Sequence, residues 1–232
     1  MTHFRERKGI TKRKSQYRDP YTLYVIASEG TETEPLYFTH LQSYVNQHQE
    51  LNRLVKIESL SRKLKNDTAS APAQILELLD DFKRKYAIKT GDEMWLLIDR
   101  DRQPKANVAQ VAKKCHQKGY EFCLTTPCIE LWLLLHLKGL GDYSLKEQAL
   151  FLSNAKVNMN RTKLEKEVSD LMVALGSGYG KSNLNMAVFF PAVADAIQRA
   201  FDLKLEANWD YDRFCTRIHV LLSRILRLSP YN

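Results

Sequence analysis

The chain has 232 residues, of which 44% are hydrophobic and 27% charged. That balance is typical of a folded globular protein and excludes a wholly disordered chain. No stretch approaches the ~18 consecutive apolar residues that a membrane span needs, and the first residues, MTHFRERKGITKRK, lack a signal-peptide pattern. The four cysteines form no CxxC pair, so reduced thiols in a cytoplasmic protein are expected rather than a structural zinc site.

The formal net charge of +8 is concentrated at the N-terminus. Residues 1–18 carry one acid and seven basic side chains: Arg5, Arg7, Lys8, Lys12, Arg13, Lys14 and Arg18. The remaining chain is nearly neutral. Such a basic arm is suited to a polyanion such as RNA or DNA, although a solubilising terminus has the same composition.

Strand and helix patterns alternate through the first half of the chain. Strands are predicted at 22–28, 55–60, 94–99 and 120–124, and helices at 34–45, 72–86, 107–118 and 128–136. Four such repeats predict an α/β fold with an open, mostly parallel sheet and helices on both faces.

After Gly139 the patterns are helical, at 145–152, 161–175, 184–201 and 211–226, and no strand is predicted. We therefore predict three segments: a flexible arm (1–18), an α/β core (19–139) and a helical region packing on the core (140–232).

Acidic residues follow the predicted strands at the places where ligands bind in parallel sheets. Glu29 ends the first strand, Asp99 and Asp101 end the third, and Glu130 begins the helix after the fourth. Residues two apart in an extended segment point the same way, so Asp99 and Asp101 can face one Mg²⁺ ion. A turn or a cap would also place Asp99 and Asp101 there, and Glu29 and Glu130 also suit helix starts.

Two further residues invite a functional interpretation. His136 lies on a different helical face from Glu130, which favours a structural helix-end histidine over a ligand. Residues 176–182, GSGYGKS, resemble a phosphate-binding loop, but Leu175 occupies the position where that motif needs glycine. Lys181 then either contacts a phosphate near a helix start or lies in a simple connection.

Four sequence blocks together resemble the RloB family. They are EGTETEPLYF (29–38), IDRD (98–101), TPCIELWLLLH (126–136) and YGKS (179–182), which are similar to the family patterns EGxxTEPxYF, DxD, NPxFExWLLLH and YxKS. Thr126 replaces a frequent asparagine and Ile129 a frequent aromatic residue, and both changes leave Glu130 in place.

The resemblance implies a TOPRIM-type fold in which Glu29, Asp99 and Asp101 bind Mg²⁺ or Mn²⁺, with Glu29 alternatively moving a proton. Glu130 would support this site, and Lys181 and the basic arm would contact nucleic acid. The family is associated with bacterial phage defence, often beside an ATPase partner.

We therefore expect a metal-dependent nuclease that cuts RNA, such as tRNA, in preference to DNA. The alternative is a non-catalytic nucleic-acid-binding or regulatory subunit of an ATPase-containing complex. Whether the chain forms a homo-oligomer stays open.

Overall fold

The structure is a computed structural model that describes residues 21–61, 72–100, 103–159, 161–203 and 212–228. Asp101 and the basic arm of residues 1–18, both named above as candidate binding elements, lie outside these residues.

The described residues form a five-stranded sheet with the order β2-β1-β3-β4-β5. The strands are β1 (Thr22–Ser28), β2 (Val55–Leu60), β3 (Glu93–Asp99), β4 (Glu121–Thr126) and β5 (Cys215–Thr216). The first four are mutually parallel, and β5 pairs antiparallel with the end of β4. The α/β prediction with a mostly parallel sheet is therefore confirmed.

The helices lie between and after these strands. They are α1 (Thr33–Gln47), α2 (Gln49–Leu54), α3 (Pro72–Lys85), α4 (Lys105–Lys118), α5 (Glu130–Leu137), α6 (Leu145–Leu152), α7 (Lys163–Ala174), α8 (Met186–Phe189), α9 (Val193–Asp202) and α10 (Ile218–Leu226). Short 3-10 turns lie at Leu140–Asp142 and Phe190–Ala192. None of the helices in the described ranges is long and apolar enough to cross a membrane.

Alternation along β1 builds two cores, because successive side chains of a strand point to opposite faces of the sheet. Leu23, Val25 and Ala27 lie in the core beneath α3 and α4. Tyr24 and Ile26 lie in the core on the other face, with α1 and α5. Each large apolar side chain buried in this way stabilises the fold by about 1.5–3 kcal/mol.

The C-terminal helices share the second core. Helix α5 is apolar on nearly every side, and Leu131–Leu135 are buried throughout. Because α5 has apolar side chains on nearly every face, it is buried between the sheet and helices α7 and α9.

Three C-terminal predictions were wrong in detail. In the described part of the segment predicted as a helix over 211–226, the helix begins only at Ile218, as α10, after the strand β5. The helix predicted over 184–201 is divided into α8 and α9 around Pro191, because proline lacks the N–H that an unbroken helix needs. The expectation of no strand after Gly139 missed β5, which has only two residues and therefore no alternation to detect.

Candidate metal centre and its carboxylate cluster

Glu29 and Asp99 end neighbouring strands at the carboxyl edge of the sheet. The backbone N–H of Glu29 donates to the carbonyl of Leu97 at 3.2 Å, which extends the β1–β3 pairing by one residue. Asp99 is the last residue of β3 and is paired with Thr125 of β4. The parallel pairing therefore brings Glu29 and Asp99 to one edge, as the sequence predicted.

Gln103 connects the loop after β3 to Glu29. Its side-chain amide donates to Glu29 Oε1 at 2.7 Å, and its backbone N–H donates to the carbonyl of Arg100 at 3.1 Å. Gln103 is only 5% exposed. A buried amide that donates to a carboxylate fixes the direction of that carboxylate, so Gln103 orients Glu29.

The donor set at this edge fits a hard cation. Mg²⁺ is held in many proteins by one or two carboxylates together with water and substrate phosphate. Glu29 and Asp99 supply two such carboxylates, and Asp101 lies just beyond the described part of the loop. Across the described ranges, no three His, Cys, Asp or Glu side chains are grouped closely enough to hold a metal by themselves.

Glu34 is a buried acid in the first turn of α1. Its Oε1 accepts a hydrogen bond from the backbone N–H of Gly30 at 3.1 Å. Burial, together with the nearby charges of Glu130 and Glu29, raises the pKa of Glu34 to about 7. Glu29 and Glu34, the two acids of the EG…TE pattern, therefore lie near the same edge of the sheet, with Gly30 between them.

Glu130 lies in a second group of charges formed by Glu165 and Lys181. Lys181 Nζ is 3.2 Å from Glu130 Oε1 and 3.4 Å from Glu165 Oε2. The hydroxyl of Tyr179 also donates to Glu130 Oε1, at 3.5 Å. Both glutamates lie in the first turn of a helix, Glu130 in α5 and Glu165 in α7, and both are buried. A buried carboxylate needs such a partner, because an isolated charge is costly to bury.

The ammonium group of Lys181 therefore contacts carboxylates in this structure. Burial alone would lower the pKa of Lys181, but the charges of Glu130 and Glu165 outweigh it and raise that pKa. The predicted phosphate contact of Lys181 stays a prediction.

Glu165 was missed by sequence reasoning for an identifiable reason. It is the third residue of α7, and Thr162 Oγ1 accepts from its backbone N–H at 3.2 Å. Thr-x-x-Glu at a helix start is typical of a capping motif, so the pattern gives no sign of a partner far along the chain. Gln103 likewise carried no sequence signal.

His136 belongs to the core. Its Nδ1 lies 2.8 Å from the carbonyl of Trp132, and its Nε2 lies 3.3 Å from the Tyr37 hydroxyl. A carbonyl can only accept, so Nδ1 carries the proton and Nε2 accepts from Tyr37. Burial lowers the pKa of His136 to about 4. The structural interpretation of His136 agrees with this placement.

A family model described as RloB-like protein matches residues 24–225, which is most of the chain and includes both groups of carboxylates. Comparison with curated proteins and with solved structures found no match. The match extends from β1 to α10 and so covers the sheet, its edge and the helices behind it. The chain therefore belongs to the RloB-like protein family.

Proposed function

We propose that this protein is a metal-dependent nuclease that hydrolyses phosphodiester bonds in a bacterial phage-defence system. The observation that carries the proposal is the meeting of Glu29 and Asp99 at the carboxyl edge of two neighbouring parallel strands. Functional groups of open α/β sheets gather at this edge. The TOPRIM assignment and the preference for RNA over DNA rest on the family resemblance.

Glu29, Asp99 and Asp101 would hold Mg²⁺ or Mn²⁺ in this proposal. The ion would offset phosphate charge and lower the pKa of a bound water. Gln103 keeps the Glu29 carboxylate in one orientation. The ion pairs of Lys181 with Glu130 and Glu165 fix the starts of α5 and α7 behind the edge.

The basic arm would contact the nucleic-acid backbone, because its charge of one sign is suited to phosphates. An ATPase partner would control the activity in the cell. Both statements follow from the sequence and the family resemblance.

The proposal is tested by incubating the purified chain with Mg²⁺ or Mn²⁺ and three substrates: a total tRNA pool, single-stranded DNA and plasmid. We expect cleavage that EDTA abolishes. Asp99→Asn should lower the rate by about 100-fold or more, because it removes a charge that the transition state needs. Asp81→Asn is the matched control, since Asp81 is exposed at the end of α3 and pairs with Arg84.

Cleavage by Asp99→Asn at the wild-type rate would contradict the site. Salt-sensitive binding without any cleavage would favour a non-catalytic, nucleic-acid-binding subunit.

A further inference from the structure

A cavity of about 390 Å³ opens beside the carboxylate edge. Part of its lining is the chain as it leaves the sheet: Arg100 directly follows Asp99, and Pro127 directly follows Thr126, the last residue of β4. The rest comes from the end of α6 and the residues after it, where Leu152 and Asn154 line the cavity. The volume lies in the range of small-ligand sites in proteins.

The position of the cavity is fixed by contacts on both sides. The backbone N–H of Arg100 donates to the carbonyl of Thr125 at 2.9 Å, which keeps the ends of β3 and β4 together. Near the end of α6, the thiol of Cys128 donates to Asn154 Oδ1 at 3.9 Å. The side chain of Asn154 is an amide, a group that both donates and accepts hydrogen bonds.

The lining combines flat or apolar surfaces with hydrogen-bonding groups. Pro127 and Leu152 are apolar. Arg100 carries a planar guanidinium, whose Nη1 donates to the carbonyl of Gln103, and such a group can stack on a ring through its face. Asp212 adds a carboxylate, whose pKa is lowered by its hydrogen bond from Lys105. A nucleobase has the matching chemistry, because its two faces stack and its edge both donates and accepts hydrogen bonds.

We propose that this cavity binds one unstacked nucleobase of a single-stranded nucleic acid, next to the phosphate held at the Glu29 and Asp99 edge. The inference rests on the proposed function for the identity of the ligand. It goes further by naming a subsite, in which Leu152 and Asn154 contact the base. Arg100, which lines the cavity, directly follows Asp99. A base bound in the cavity would therefore determine which phosphate of the nucleic acid lies at the Glu29 and Asp99 edge and is cut.

Binding of 12-nucleotide oligomers, RNA and DNA of the same sequence, tests the subsite without requiring cleavage. Affinities are measured by fluorescence anisotropy with Ca²⁺ in place of Mg²⁺. Each nucleotide in turn is replaced by an abasic residue. We expect one position at which loss of the base weakens binding about 10-fold, which is the contribution of one stacked base to affinity.

Variants of the cavity wall complete the test. Leu152→Trp should fill the cavity and weaken binding of the intact oligomer about 10-fold, while leaving binding of the oligomer that is abasic at that position unchanged. Leu150→Trp is the matched control, because Leu150 is an exposed leucine of the same helix outside the lining. Asn154→Gly removes the amide and preserves the left-handed backbone, at φ 48°, that glycine tolerates.

The outcomes separate the inference from the proposed function. If the abasic penalty is the same in Leu152→Trp as in the wild type, or if neither oligomer binds, the subsite is wrong even where the enzyme cuts. If the penalty disappears in Leu152→Trp and falls in Asn154→Gly while no substrate is cut, the subsite stands and the nuclease proposal fails. Melting temperatures of all variants identify any that fail to fold, and Asn154→Gly then decides in place of Leu152→Trp.

Discussion

Gly30 shows how a single residue shapes the candidate site. A Cβ added at Gly30 would lie 2.0 Å from Oε2 of Glu34, which is inside any permitted contact distance. The same Glu34 carboxylate accepts a hydrogen bond from the N–H of Gly30. The missing side chain at position 30 therefore lets a buried acid approach the turn after β1.

Gly30→Ala should displace the Glu34 carboxylate and leave buried polar groups without their bond. We expect the free energy of unfolding to fall by about 1–3 kcal/mol, measured by urea denaturation. Gly141→Ala is the control, since a Cβ there meets no atom within 4 Å, and it should stay within about 0.5 kcal/mol of the wild type. Equal stability of the two variants would show that the Glu34 contact is unimportant.

The ionisation of Glu34 should make stability depend on pH. Its pKa is raised from 4.5 to about 7 on folding. The stability that this shift contributes is therefore fully present below pH 4.5 and is lost as pH rises through 7. We expect Glu34→Gln to remove about 1–3 kcal/mol of this pH dependence, measured in EDTA. Glu77→Gln, at an exposed position in α3, should leave the dependence unchanged. A wild-type profile retained by Glu34→Gln would contradict the assignment.

Among the elements, those that carry strong apolar patterns were predictable from sequence. The four parallel strands and the position of Glu29 and Asp99 at their ends follow from short buried runs whose order fixes the edge of the sheet. The contacts of Glu34 and Glu165 were not predictable in the same way. Both occupy first-turn positions where an acid is favourable in any exposed helix, and only packing of distant elements buries them.

The loop that carries Lys181 is held by charge to α5 and α7. Lys181→Met would leave the buried carboxylates of Glu130 and Glu165 without their cation. Because the lysine side chain is 42% exposed, we expect a loss of about 1–3 kcal/mol, below that of a fully buried pair.

Lys166→Met is the matched control for this prediction. It removes an exposed ion pair with Asp170 on α7 and should change stability by less than about 0.5 kcal/mol. Thermal and urea unfolding of the two variants give the comparison. A loss no larger in Lys181→Met than in Lys166→Met would show that the buried charges are satisfied in another way.

At the scale of the whole molecule, most of the net charge and the hydrophobic core come from different parts of the chain. Residues of α5, α7 and α9 pack with residues of the sheet in one hydrophobic cluster. This packing holds the strands that carry the carboxylate edge. Most of the net charge of +8 lies in residues 1–18. The folded body therefore provides the chemistry in our proposal, and the arm provides the attraction for a polyanion.

Deletion of residues 1–18 should weaken nucleic-acid binding and leave the folded body intact. We expect the affinity to fall at least about 10-fold at low salt and the logarithmic salt dependence to become shallower by several units, at roughly 0.7 per lost phosphate contact on a single strand. Cleavage at saturating substrate should continue. An unchanged salt dependence, measured by titration at a series of salt concentrations, would assign binding to the folded body.

Cation binding tests the central claim most directly, because it requires neither the right substrate nor an activating partner. Calorimetric titration of the full chain with Mn²⁺ should show binding in the wild type and in Lys166→Met. It should show no binding, or at least about 10-fold weaker binding, in Glu29→Gln and Asp99→Asn. Equal Mn²⁺ affinity in all four proteins, or none in the wild type, would contradict a metal centre at the edge of the sheet.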